Sequence, residues 1–387
     1  MALSMPFRGI TRLILCAVGV FAIISFIFWP PIPFAPVTVS GGLQGASQHL
    51  HSITNETLGV QKVFVVSLPS RLDKRDNIAL GSSVSDFQFE WIDGITPDQI
   101  NPKTYPYNWN YDHRPVEYAA RRAHVNGMQR IISERLGSAI IMEDDADWDV
   151  SIKTQLQSFA IATRALQGTK NNTAASPYGH DWDILWLGHC GLECKTDLPS
   201  FLTPNDSTVL PPQHFLPYWR DPPPLDRLDN GRLTCSISDG VCSIVYAVSF
   251  RGAQRILAAL SVNPSEIADK IDIGAQFDVS LGRMCGNGYL QCFAPYPSLT
   301  GGYRPEGPVT KGSDINGADG DPGKPFEGPI EGPFSNGVMY STMLNIHRIL
   351  SGAKTVRSTW DDVLVPEVNP DSLPVLGGAI QMPKKMA

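Results

Sequence analysis

From about residue 60 onward the chain alternates short apolar runs with polar, glycine- and proline-rich stretches. The run at 62–68, KVFVVSL, is β-branched and uninterrupted, which predicts a strand buried on both faces. A turn then leads into a predicted helix from about Ser70, with Ser70 as its N-cap and Asp73 three residues on. A second strand is predicted at 87–92, closed by Asp93-Gly94. Apolar spacing at Val116, Ala119, Ala120, Ala123, Met128, Ile131 and Ile132 predicts a helix over 115–136, ended by Gly137. Strands follow at 139–142, 181–188 and 241–249, and helices at 152–167, 251–260 and 272–281. This alternation predicts an α/β fold with parallel strands. Residues 199–232 and 300–338 read as irregular, and the tail from Pro366 as unstructured.

One strand ends abnormally. After Ala139-Ile140-Ile141-Met142 come Glu143, Asp144, Asp145, Asp147 and Asp149, five acids within seven residues. So many carboxylates repel one another unless a hard cation or water compensates them. Strand carboxyl ends are also where α/β folds receive ligands. An EF-hand loop does not fit, because Val150 and Leu156 would stand where that loop needs Gly and Glu. The predicted helix after the first strand carries Arg71, Lys74 and Arg75 in its opening turn, where backbone N–H groups favour a phosphate.

A net charge of -7 argues against a general nucleic-acid binder. Residues 13–29 are free of charge and follow Arg8 and Arg12, which predicts a transmembrane signal anchor with the body lumenal. The expected organisation is a cytosolic tail at 1–12, the anchor at 13–29, a flexible stem at 30–59, a catalytic domain at 60–300 and a Gly/Pro-rich extension at 301–387. The triplets beginning at Asn55, Asn171 and Asn205 match the N-glycosylation pattern. Outside the anchor six cysteines remain, an even set suited to disulfides in an oxidising compartment; fifteen pairings are open. A zinc site at Cys190 and Cys194 is the competing reading of that pair. The aromatic loop at 105–111, YPYNWNY, suits either a sugar-binding surface or a packed loop core.

Several stretches together resemble glycosyltransferase family 25, the lipooligosaccharide and collagen galactosyltransferases. VFVVSLPSRLDKRDN resembles its first strand and Arg-rich turn, WIDGI its second strand, and EYAARRAH the helix that carries a conserved-pattern His, here His124. IIMEDDADWD resembles its Glu-Asp-Asp signature, and WDILWLG and SIVYAVSFRGAQRIL its later elements. The resemblance covers about residues 62–300, and the Pro-rich stem and long insertions look more like fungal secretory-pathway members than bacterial ones. The chain departs from the pattern at Tyr118, Ala119 and Ala123, and FDVSL keeps the Asp as Asp278 but lacks the Glu of the family's usual run.

The resemblance implies a GT-A-like nucleotide-sugar-binding fold with a mixed, mostly parallel sheet. It also implies Mn²⁺- or Mg²⁺-dependent transfer from a nucleotide sugar, chiefly UDP-galactose, to a glycan or glycoprotein acceptor. The expected metal ligands are Asp145 and, second, Asp147. Arg71, Arg75, Glu143, Asp144 and His124 are expected at the donor, and Asp278, with Asp272 behind it, as the base that activates the acceptor hydroxyl. A single base implies inversion at the anomeric carbon. Golgi or ER membrane is the expected location. The rival readings are an inactive lumenal carbohydrate-binding protein and a metal-dependent hydrolase.

Overall fold

The structure, a computed structural model, describes residues 49–169, 176–215, 230–315, 328–373 and 378–382. The predicted anchor at 13–29 lies outside them. Among the described residues no helix is long and apolar enough to cross a membrane.

The first strands lie where their apolar runs place them: β1 at Lys62–Ser67, β2 at Glu90–Asp93, β3 at Ser138–Glu143 and β4 at Ala146–Trp148. There follow β5 at Ile184–Gly188, β6 at Gly191–Cys194, β7 at Phe201–Thr203, β8 at Arg232–Val241 and β9 at Val245–Ser249. The last are β10 at Cys292–Tyr296, β11 at Thr300–Arg304, β12 at Phe334–Asn336, β13 at Val356–Arg357, β14 at Glu367–Val368 and β15 at Ile380–Gln381. The main sheet runs β15-β7-β8-β10-β5-β9-β3-β1-β2, with β6 on β8.

The expectation of a mostly parallel sheet is corrected. Parallel pairing is confined to β2-β1-β3 and β5-β10; β9 enters antiparallel between β3 and β5, and β8, β7 and β15 continue antiparallel. Alternation of strands and helices in sequence does not set the direction in which a strand enters the sheet. The supposedly unstructured tail supplies β14 and β15, and β15 closes one sheet edge against β7.

Among the described residues the helices of eight residues or more are α1 at Leu72–Val84, α2 at Pro115–Ser133, α3 at Ile152–Leu166, α4 at Phe250–Leu257 and α5 at Phe277–Asn287. Successive strand residues feed opposite cores. Phe64, Ala139, Ile141, Tyr246 and Val248 join Met128, Ile256 and Leu281 on one face; Val63, Val65, Ile140, Met142 and Ala247 join Ile78, Leu156 and Phe159 on the other. Both faces are dry, which is why these strands read as continuous apolar runs rather than alternating ones. Gly127 of α2 lets the helix close on β3, since a Cβ there would lie 2.9 Å from Ile141 Cδ1.

Helix ends differ from expectation in two places. Ser70 does not cap α1; the helix starts after Arg71, whose guanidinium holds Asp73 of the first turn at 2.9 and 3.0 Å. Gly137 does not end α2 either, because Arg135 adopts the left-handed conformation (φ 56°) just past the last turn. The end of the predicted stem is folded: Leu50, Ile53 and Leu58 are buried in the core beside Tyr178.

All six cysteines outside the predicted anchor are paired, Cys190 with Cys242, Cys194 with Cys235 and Cys285 with Cys292. The zinc reading of Cys190 and Cys194 is thereby overturned. Of the glycosylation triplets, Asn55 and Asn205 are exposed, and Asn171 lies outside the described residues.

Candidate active site

The ends of β1 and β3, the start of β9 and the first turn of α5 meet at one edge of the sheet. The Glu143 N–H donates to the Ile244 carbonyl at 2.8 Å, so the acidic turn after β3 lies beside the segment 242–244 that opens β9. Two adjoining groups of side chains form there.

The first surrounds Asp144 and Asp145. Lys74, buried on α1, donates to Asp144 Oδ1 at 2.7 Å and to Asp145 Oδ2 at 3.3 Å. Arg304 donates to the same Asp145 oxygen at 2.7 Å. It arrives through sheet pairing: β11 lies antiparallel to β4 with Gly302 opposite Ala146, which brings Arg304 to the acidic turn. Asp314 approaches Lys74 Nζ to 3.6 Å and pairs with Arg71, which also holds the Gly312 and Lys311 carbonyls. Burial opposes the charge of Asp145, but Lys74 and Arg304 overcome it and hold its carboxyl below the usual carboxylate range. For Asp144 burial outweighs Lys74, and the Asp145 charge adds to it, so its carboxyl is raised. Arg75 turns away toward the end of β2, bonding Asp93 at 2.6 Å and lying over the Trp91 ring at 4.6 Å.

The second group surrounds Glu143. Ser243 Oγ donates to Glu143 Oε1 at 2.7 Å. His124 Nε2 lies 3.6 Å from that oxygen, while its Nδ1 is 3.0 Å from Tyr246 Oη and its ring stacks on Phe277 at 4.6 Å. Asp278, next in α5, accepts the Cys242 N–H at 2.7 Å. Burial raises the Asp278 carboxyl above its ordinary value, against the Cys242 N–H and reinforced by the Glu143 charge. A carboxylate raised in this way suits proton abstraction near neutral pH better than an exposed one.

Besides Arg75, two residues expected here, Asp147 and Asp272, are otherwise engaged. Asp147 is fully buried and its carboxylate accepts from Ser335 Oγ, Ser341 Oγ, Trp148 N and Met343 N. Those four donors make it a structural anchor for β12 and the segment after it. Asp149 behaves alike, accepting from Ser151 and from Tyr340 N. Asp272 precedes α5 rather than lying in it; it caps its own turn through Gly274 N and pairs with Arg283 on the surface. Lys74, Arg304, Asp314, Ser243 and Tyr246 were not assigned from the sequence. Lys74 had a signal, its place in the basic turn. Arg304 had none, since it reaches Asp145 across 159 residues.

Asp144 and Asp145 are the carboxylates this edge offers to a divalent cation. Asp144 and Asp145 direct hard oxygen ligands at one cationic centre, the Lys74 ammonium, and Asp145 also takes Arg304. Among the described residues no third His, Cys, Asp or Glu completes a metal-binding group.

No protein-family profile matches the chain. Over 216 residues it is 21% identical to procollagen galactosyltransferase 1 of Danio rerio, a match covering 53% of this chain and 29% of that protein. The chain therefore spans less than a third of the curated relative. This distant likeness to a galactosyltransferase supports glycosyltransferase chemistry at that coarse level.

Proposed function

We propose that the chain transfers a hexose, galactose from UDP-galactose, to a hydroxyl of a glycan or glycoprotein acceptor, with inversion. The reading rests on one juxtaposition: the cation-lined pair Asp144–Asp145 adjoins the group containing the half-buried Asp278 at a single sheet edge. A diphosphate leaving group needs positive charge fixed beforehand in a low-dielectric site. Lys74 and Arg304 supply such charge, and Arg71 lies in the same network through Asp314. Mn²⁺ or Mg²⁺ held by Asp145 and Asp144 would add Lewis-acid compensation, with waters and phosphate oxygens completing its coordination.

Asp278 takes the proton of the acceptor hydroxyl at its carboxylate. Glu143, held by Ser243, orients the donor's ribose or sugar hydroxyls. His124, wedged between Tyr246 and Phe277, fixes the wall between them. The three disulfides accord with a lumenal body in the ER or Golgi, and residues 13–29 would anchor it.

The test is donor turnover by the full chain across UDP- and GDP-sugars, with Mn²⁺ or a chelator, beside Asp145→Ala. Release of nucleotide from one donor, lost on chelation and in the variant, supports both the transferase and its metal. Turnover that survives chelation but fails in the variant removes the metal alone. No nucleotide-sugar binding by the folded chain overturns the transferase reading.

A further inference from the structure

The aromatic loop over 105–111 divides its rings by alternation. Tyr105 stacks on Tyr118 at 4.5 Å, and Trp109, 6% exposed, meets the same ring edge-on at 5.4 Å. Tyr107 and Tyr111 are 67% and 81% exposed, and the Tyr111 ring leans on Tyr105 at 6.0 Å. Among the described residues the exposed large hydrophobics include one other aromatic ring, Phe334. Buried Trp109 and half-buried Tyr105, both packed on Tyr118, hold the backbone, so the exposed pair is presented on a fixed base.

This loop touches the segment that delivers Asp278. The Asn108 carbonyl packs so closely on Gly274 that a Cβ there would lie 2.1 Å from it. Gln276 Nε2 lies 3.3 Å from His113 Nδ1, and His113 packs against Trp109 at 5.0 Å. Gln276 immediately precedes Phe277, the first residue of α5. The exposed rings therefore stand on a loop in direct contact with the segment that leads into α5, whose first turn carries the candidate base.

We infer that Tyr107 and Tyr111 form an acceptor subsite that takes a pyranose ring, so that the acceptor presents sugar rather than bare polypeptide; this rests on the transferase reading above. A pyranose offers an apolar C–H face and a rim of hydroxyls. Exposed aromatic faces serve the first, and the exposed amides of Asn108 and Asn110 and the carboxylate of Asp112 serve the second. The chemistry disfavours other occupants. A phosphorylated or nucleic-acid ligand needs cations, and between 105 and 112 there is no Lys or Arg. An apolar helix needs a continuous greasy face, which the interleaved Asn and Asp side chains interrupt.

The experiment uses the full chain without donor. Saturation-transfer NMR reads binding of lactose, chitobiose and maltose, and of a sugar-free Ser/Thr peptide, in the unsubstituted chain, Tyr107→Ala and Tyr111→Ala. At least one disaccharide binds, and each variant weakens it by about 5-fold, the scale of one ring contact. UDP binding stays unchanged in both variants. The inference is overturned if no disaccharide binds, if binding ignores both substitutions, or if only the peptide responds to them. Because the measurement needs no donor, failure of UDP-galactose turnover would remove the transferase while leaving a tyrosine-dependent sugar signal intact.

Discussion

Removing the Cys190–Cys242 bridge should damage stability and chemistry by separable amounts. The bridge spans 52 residues, but Cys194–Cys235, nested inside it, already closes 41, which leaves 11 residues for the outer bridge to constrain. On the chain-entropy account a loop of that size contributes about 3 kcal/mol, rather than the roughly 4 of an isolated 52-residue loop. The chemical effect follows from what Cys242 holds. Its backbone is left-handed, φ 65°, a conformation that costs a non-glycine residue about 1 kcal/mol and that the bridge restrains. Its N–H donates to Asp278 at 2.7 Å, its carbonyl accepts Trp186 Nε1 at 2.8 Å, and the next residue, Ser243, holds Glu143. A relaxed turn gives up the hydrogen bond to Asp278, worth about tenfold in rate. The double variant Cys190→Ser, Cys242→Ser should therefore unfold about 3 kcal/mol more easily in a denaturant titration, with a slope at least as steep because the released unfolded chain exposes more surface. In steady-state assays its kcat should fall about tenfold, with UDP affinity preserved because Lys74, Arg304 and Asp145 are untouched. Full kcat in the destabilised variant would refute the positioning argument, and a loss near 4 kcal/mol or above would refute the nested-loop estimate.

Asp278→Asn keeps an oxygen for the Cys242 N–H, so calorimetric UDP affinity and melting temperature should hold while transfer falls at least about 100-fold; unchanged transfer removes Asp278 as base. Lys74→Met strands Asp144 beside Asp145 with no cation of its own and should cost roughly 3 kcal/mol in thermal denaturation. Arg121, 2% exposed, donates to the Ile273 carbonyl at 2.8 Å, to the Ala275 carbonyl and to Ser280 Oγ at 3.1 Å, and burial lowers it to about 10. In Arg121→Met the relief of that burial offsets the loss of bonds, so stability should move by no more than about 2 kcal/mol. Transfer should fall, because the approach to Asp278 loosens; unchanged transfer sinks that role. Burial raises the Asp149 carboxyl to about 6. A carboxyl raised on folding makes the native state hold the extra proton, so stability should rise as pH falls from 6 toward 4, by about 3 kcal/mol in all. The profile of Asp149→Asn should lack that component, and parallel profiles would contradict it.

The amino-acid sequence by itself determined the long buried strands and the longer helices and singled out the acidic stretch, while β7, β11, β12, β14 and β15 fell in segments that read as irregular or unstructured. Runs such as 62–67 and 138–143 must be buried on both sides, and the spacing in 115–133 leaves one apolar face, so these elements are local consequences of hydrophobic periodicity. Glu143, Asp144 and Asp145 stood out because they lie at or beside the end of such an element, whereas His124, in the middle of α2, was singled out only by the family resemblance. Tertiary structure decided how the five acids divide. The turn at Asp144–Asp145 opens toward Lys74 and Arg304, whereas β4 carries Asp147 into hydroxyls from 335 and 341. It also decided the direction of β9, the three disulfides and the contact between Asn108 and Gly274. Local patterns record whether a residue meets water or protein. Which partner it meets depends on the register of strands far apart in the chain, and there a carboxylate becomes an anchor or a site.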